Sequence, residues 1–371
     1  MSQNLRVGVQ KIKRVLVFTT AYKPFIGGSE IAIEETIKLM PDIFFEILTP
    51  KYSLKLKRVE NFSNGFIHRI GLGTKMDKFL FPVLGFFTAI RSRPDIIHGY
   101  QASHASGAAV IYKFFSPKTK FILTIQEGKN MDKQNLLIRF FRKIIIKRAD
   151  VVTAISSYLV DYVRNINPKA ETHLIPNGVD LNKLKNKRKN LKNIENVIIT
   201  VSRLVPKNGI ADLINAIKIL KDKIPEIRLW IVGDGPLRRS LDLQVLKMDL
   251  QKNVLFFGSL EPDLVPEYLS QAKVFVRPSL SEGLGNSFLE AMAVQVPIIG
   301  TPVGGITDFL RDGETGLFCK VSDPVDLAEK INKILTDKEM VLKITNNAES
   351  LVAEKYDWNI ITKKFTDIYS K

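Results

Sequence analysis

Two glutamates eight positions apart carry the most specific chemistry in this sequence. In Pro278-Ser-Leu-Ser-Glu282-Gly283-Leu284-Gly285-Asn286-Ser-Phe-Leu-Glu290 they bracket a glycine-bearing loop, and a helix is predicted from about Asn286. With all eight residues helical, the two carboxylates would stand about 12 Å apart along the axis. The carboxyls of a retaining glycosidase sit only about 5 Å apart, so a nucleophile and acid pair is a poor reading. An ionised carboxylate accepts two hydrogen bonds, which suits hydroxyl pairs at opposite ends of one elongated ligand. The glycine amides and helix start between them suit phosphate. The ligand so specified has a sugar, a diphosphate and a ribose; the bland alternative is two surface glutamates.

Two further loops fit the same ligand. Ser202-Arg203-Leu-Val-Pro-Lys207-Asn208-Gly209 joins a strand to a helix. Arginine binds phosphate bidentately and lysine acts as a point charge, so the pair can grip a diphosphate. The same run also reads as a capped loop with solvated charges. Pro24-Phe-Ile-Gly27-Gly28-Ser29-Glu30 follows the first predicted strand and opens a helix. Paired glycines there let backbone approach an oxygen-rich ligand. It is neither Gly-x-Gly-x-x-Gly nor a P-loop, and an ordinary turn would look similar.

These loops need a frame. Apolar, β-branched runs predict strands at Val15–Thr19, Ile43–Leu48, Phe66–Ile70, Asp95–His98, Phe121–Ile125 and Val151–Ile155. Helix-period segments separate most of them, the pattern of a parallel α/β sheet. A polar, Lys-rich run, Leu181–Asn193, reads as a connection between domains. A second series follows at Val197–Val201, Ile227–Val232, Val254–Phe257, Val274–Val276 and Ile298–Thr301. The fold class is therefore α/β, with two Rossmann-like domains facing across a cleft at the carboxyl ends of their strands. A chain of 371 residues is also longer than one core usually supports.

Charge narrows the partners. The net charge is +17, and residues 51–148 hold 19 basic against 5 acidic side chains. Such an excess implies nucleic acid, an acidic membrane surface or a phosphorylated ligand. Phe79–Ile90 is too short to cross a bilayer, which takes about 20 apolar residues. With Lys75, Lys78, Arg91 and Arg93 around it, it suits a helix lying in a membrane interface, as does Leu136–Arg148. Each also reads as an ordinary helix packed on its sheet. The aromatics sit among Leu and Val rather than Lys and Arg, and no recognition motif is present, so nucleic acid is not the expected partner. The lone Cys319 forms no internal disulfide, and the opening residues hold no leader-like apolar core, so a cytoplasmic site is expected.

Ordered motifs now carry a resemblance over nearly the whole chain. They are Pro24-x-x-Gly27-Gly28, Pro94-Asp-Ile-Ile-His98, Ala149-Asp150 with Ser156, and Ile175-Pro-Asn-Gly-Val-Asp180. Arg203-Leu, Gly233-Asp-Gly-Pro236, Glu282-x7-Glu290, Pro302-Val-Gly-Gly-Ile306 and Asp312-Gly-x-x-Gly316 follow. The sequence resembles the retaining, GT-B-fold glycosyltransferases of group 1, which use nucleotide-sugar donors. The resemblance implies an acceptor-binding domain over 1–185 and a donor-binding domain over 186–355. It also implies a terminal helix over 356–371 that crosses back to the first. It places Glu282 against the transferred sugar and Glu290 against the donor ribose. Arg203 and Lys207 hold the diphosphate, with Gly27, Gly28, Gly283, Leu284, Gly285 and Asn286 around it, while Glu30 and His98 are candidates for the acceptor, His98 also reading as a structural or merely polar histidine. No Asp-x-Asp occurs, so no metal and no cofactor is expected.

Two positions depart from the family pattern. Asn208 stands where many members have lysine, leaving Lys207 one residue early. Gln126 replaces a histidine often found after the fourth or fifth strand. Glutamine hydrogen-bonds but takes no proton at pH 7, so either Gln126 positions the sugar, neighbouring Glu127 supplies the charge, or activity is lost. The expectation is a metal-independent, retaining transferase, peripheral on the inner face of the membrane, acting on a lipid-linked or cell-envelope glycan. A 2-epimerase of the same fold and a non-catalytic sugar-nucleotide binder are the alternatives.

Overall fold

The computed structural model describes residues 13–25, 27–128, 134–188 and 196–371. The first sheet holds β1 (Arg14–Phe18), β2 (Phe44–Pro50), β3 (Val59–Phe62), β4 (Gly65–Ile70), β5 (Ile96–Tyr100), β6 (Lys120–Ile125), β7 (Val151–Ala154) and β8 (Glu171–Leu174). The second holds β9 (Val197–Val201), β10 (Arg228–Val232), β11 (Val254–Gly258), β12 (Val274–Arg277), β13 (Ile298–Gly300) and β14 (Leu317–Phe318).

The spatial orders are β3-β4-β2-β1-β5-β6-β7-β8 and β11-β10-β9-β12-β13-β14, parallel except for β3 against β4. Without β3, both sheets run outward from their first strand and then reverse, the doubly wound order. Their switch points fall beside β1 and β5 in one sheet and β9 and β12 in the other. The central strands are buried runs such as Val-Ile-Ile-Thr-Val, because helices cover both faces. The expected strands lie within a residue or two of those observed. The short edge strands β3, β8 and β14 were not anticipated; β3 and β8 are largely exposed and carry no continuous apolar run. The segment read as a plain connection begins as a helix, Leu181–Arg188.

The terminal helix Trp358–Ser370 completes the first domain. Trp358, Ile361, Phe365, Ile368 and Tyr369 form one apolar stripe, buried with Val15, Val17, Ile33 and Ile47. Asp357 caps its start by accepting from the Asn359 amide, while Lys13 and Lys120 donate to the Tyr369 and Ile368 carbonyls at its end. The chain enters it against Gly178, where any Cβ would sit 2.7 Å from the Trp358 ring.

His98 belongs to this packing and not to an acceptor site, which corrects the expectation from sequence. It is fully buried on β5, with its ring nitrogens 2.6 Å from the Tyr369 hydroxyl and 2.7 Å from Thr124 Oγ1. Burial lowers its pKa to about 3, so the ring is neutral. Tyr369→Phe leaves one buried ring nitrogen unpaired. It should cost about 1–3 kcal/mol, read as a lower unfolding midpoint in a circular-dichroism melt.

Candidate active site

The strand ends at the two switch points open into one cavity of about 680 Å³ between the domains. From the first domain it is lined by Gly27, Gly28 and Ser29 at the start of helix Gly28–Lys38, and by Gln101, Gln126 and Gly128 after β5 and β6. From the second it is lined by Arg203, Lys207, Arg277, Glu282, Glu290 and the loop between those glutamates.

Each second-domain group has a visible support. Asn208, in the place of the family lysine, donates from Nδ2 to the Arg203 carbonyl at 2.6 Å and so braces that loop. A 3₁₀ turn, Pro206–Asn208, directs Lys207 into the cleft, where Nζ lies 3.3 Å from Glu282 Oε2. The shifted lysine thus reaches the site. Glu282 is almost wholly buried and forms a close ion pair with Arg277. Gly283 N donates to the Glu282 carboxylate at 3.0 Å, and Gly305 N to the Glu282 carbonyl at 3.2 Å. Gly304 beside it has φ +53° and would place a Cβ 1.9 Å from that carbonyl, so the Gly-Gly of Pro302–Ile306 exists to let the glutamate loop close down. Helix Asn286–Ala293 starts at the cavity and presents free amides to it.

Arg277 was not foreseen. It sits at the last position of β12, donates from Nη1 to Ser287 Oγ at 3.1 Å, and feels Glu290 as well as Glu282. The available signal was a charged residue ending an otherwise apolar buried strand. Burial brings its pKa down to about 10, against the pull of Glu290. Burial raises Glu290 to about 7, opposed by Arg277 and Lys183. Glu282 faces Gly128 and the first domain, whereas Glu290 also borders a neighbouring cavity near Asp180 and Lys183. The two carboxylates therefore look to different ends of the site.

Two first-domain assignments change. Glu30 folds back over Gly27, with bonds from the Ser29 hydroxyl and the Gly27 and Glu30 amides. It is the N3 residue closing its own helix start and does not line the cavity. Glu127 turns inward: it accepts from Ala102 N at 2.9 Å and Gln126 N at 3.0 Å, with Arg142 Nε 3.9 Å away. Burial raises its pKa, and Arg142 opposes the rise. Glu127 ties the loops after β5 and β6 together, while the amide of Gln126 is what faces the cavity.

The domains touch at this point. Ser281 Oγ donates to the Gly128 carbonyl at 3.3 Å, Asn177 Nδ2 to Asn286 Oδ1 at 3.2 Å, and Ser157 binds Asp308 through its amide and hydroxyl. A Cβ on Gly128 would lie 2.8 Å from Lys207 Nζ and 3.1 Å from Glu282 Oε1, which shows how closely the first domain approaches both groups.

Two doubly wound domains meeting at a polar, cation-lined cleft make the GT-B arrangement. The family models "Glycosyl transferases group 1" and "Glycosyltransferase Family 4" match residues 182–351 and 26–183, and the chain belongs to the group 1 glycosyltransferases. It is 27% identical to the N-acetyl-alpha-D-glucosaminyl L-malate synthase of Bacillus anthracis, over 93% of this chain and 94% of that one. Sucrose-phosphate synthase from Thermosynechococcus elongatus superimposes with a TM-score of 0.85 at 22% identity, over 96% and 98% of the two chains. Anabaena HepE in complex with UDP-glucose gives 0.80 at 19%, over 96% and 99%.

The raised pKa of Glu290 makes stability fall with pH. Below the unfolded value near 4.5 the group is protonated in both states; between 4.5 and about 7 the folded state holds the extra proton, so rising pH costs stability. Glu290→Gln should match the parent at pH 4 and exceed it at pH 8 in chemical denaturation. Parallel stability curves for the two proteins would refute the shift.

Proposed function

We infer that this enzyme moves a sugar from a nucleotide-diphosphate donor to a lipid-linked or cell-envelope glycan, with retention and without a metal. The observation that carries the reading is one cavity holding three cations, a helix start and two separated carboxylates. Arg203, Lys207 and the amides at Asn286 meet the diphosphate, Glu290 the ribose and Glu282 the sugar. As the glycosidic bond breaks, negative charge grows on the diphosphate, and cations already fixed there stabilise it without reorganisation. Those cations take the role a divalent ion has elsewhere.

Among the described residues, no carboxylate or imidazole of the first domain lines the cavity. An acceptor hydroxyl entering past Gln126 therefore meets an amide, and the departing diphosphate is the anion placed to take its proton. That fits departure and attack on one face of the sugar, hence retention. The Gln126 side chain orients the acceptor, on a loop that Glu127 holds in place. Neither the 2-epimerase nor the non-catalytic reading has support from the relatives.

An anionic membrane is the proposed setting. Helix Asp77–Ser92 buries Phe81 and Phe86 but exposes Phe79, Val83 and Phe87, among the basic residues of 51–148. No helix among the described residues is long and apolar enough to span a membrane.

Thermal shifts against UDP-, GDP- and ADP-sugars should reveal the donor, UDP-sugars being the first to try because HepE binds UDP-glucose. Glu282→Ala should abolish transfer while the melting profile stays cooperative; full activity would remove its role. Proton NMR of the first product should show the donor's anomeric configuration, and an inverted product would overturn retention.

A further inference from the structure

Helices Asp77–Ser92, His104–Phe115, Leu136–Arg148 and Ser157–Ile166 cover one face of the first sheet, and neighbouring pairs are in contact. In a parallel α/β domain the covering helices run opposite to the strands, so their N-terminal turns stand at the cleft end. Helix Leu136–Arg148 uses its inner face, Ile145, Ile146 and Arg142, for packing. Its first turns stay in solvent: Leu136 is 77% exposed, Phe140 59% and Phe141 55%. A soluble surface rarely leaves such side chains together.

Beside this apolar tip lies a cavity of about 450 Å³, in the groove between helices Leu136–Arg148 and Ser157–Ile166. Arg139 and Lys143, one turn apart, line one wall; Tyr158, Asp161, Tyr162 and Asn165 line the other. Among the described residues neither Arg139 nor Lys143 has an ion-pair partner. Two unpaired cations beside tyrosine and asparagine form a receptor for one phosphate. Asp161 sets its kind. A carboxylate repels a doubly charged monoester but accepts hydroxyl protons, so the better ligand is a phosphodiester with one charge and free hydroxyls.

We propose that this groove binds the phosphodiester headgroup of a polyol lipid, such as glycerol-type, in the anionic bilayer on which the apolar tip rests. Arg139 and Lys143 hold the phosphate, and Asp161 and Asn165 accept from or donate to the headgroup hydroxyls. Leu136, Phe140 and Phe141 enter the interface, which sets the cleft mouth at the lipid surface. The assignment rests on the membrane reading above and adds headgroup selection to it.

The test is co-sedimentation of the full chain with phosphatidylcholine vesicles carrying either phosphatidylglycerol or phosphatidylserine at equal mole fraction. Both lipids carry one net negative charge and one phosphodiester, but serine offers a carboxylate and an ammonium in place of the free hydroxyls. The parent should prefer phosphatidylglycerol, and the double variant Arg139→Gln, Lys143→Gln should lose the preference and bind about tenfold or more weakly. Leu136→Ser with Phe140→Ser should weaken binding to both vesicles while keeping the preference. Unchanged melting profiles would show the variants to be folded. Equal binding of the parent to both vesicles, or a preference untouched in the double cation variant, overturns the groove and leaves the membrane reading standing. Absence of binding to any anionic vesicle at low salt overturns both.

Discussion

The site is organised around a carboxylate that cannot be buried alone. Removing a charge from water costs several kcal/mol unless a partner and hydrogen bonds offset it. Glu282 meets that demand with Arg277 beneath it, Lys207 beside it and backbone amides around it. Each requirement fixes a piece of the fold. Arg277 must end a central strand, Lys207 must stand on a tight turn at the next strand's end, and Gly304 must yield space for the loop. Even the other domain takes part, since Gly128 lies against the carboxylate and the ammonium.

This dependence explains why some of the site was legible from sequence and some was not. Glu282, Glu290, Arg203 and the glycines lie in local runs whose spacing states their purpose. Lys207 was legible as a cation, and its reach follows from the turn Pro206–Asn208. Arg277 lay outside the motif because its role comes from a strand end meeting a loop five residues on. His98, Glu30 and Glu127 were misplaced for one shared reason. Each lies near a cleft element in sequence, but its side chain points into the protein, a direction set by the sheet's pleat or the helix start rather than by neighbours in the chain.

The fold itself was more readable, because fully buried parallel strands advertise themselves as unbroken apolar runs. The edge strands escaped notice since exposure removes that pressure, and β3 pairs only with β4. The charge surplus has also separated into tasks. Arg203, Lys207 and Arg277 line the second-domain wall of the cleft, while the larger excess lies in the first domain, spread over its loops and its covering helices. Those helices carry apolar side chains outward where their sheet no longer needs them.

The helix Trp358–Ser370 has a consequence for the order in which the protein is made. It covers the sheet face of Val15 and Ile47, beside Ile33 of helix Gly28–Lys38, yet the ribosome delivers it about 180 residues after the last strand of that sheet. At roughly 5–20 residues per second, this apolar face waits some 10–40 s for its cover. The second domain can close around its own core during that interval, whereas the first domain cannot. The domain synthesised first thus waits for a later segment, and the newborn chain carries its sticky side uncovered until this helix emerges.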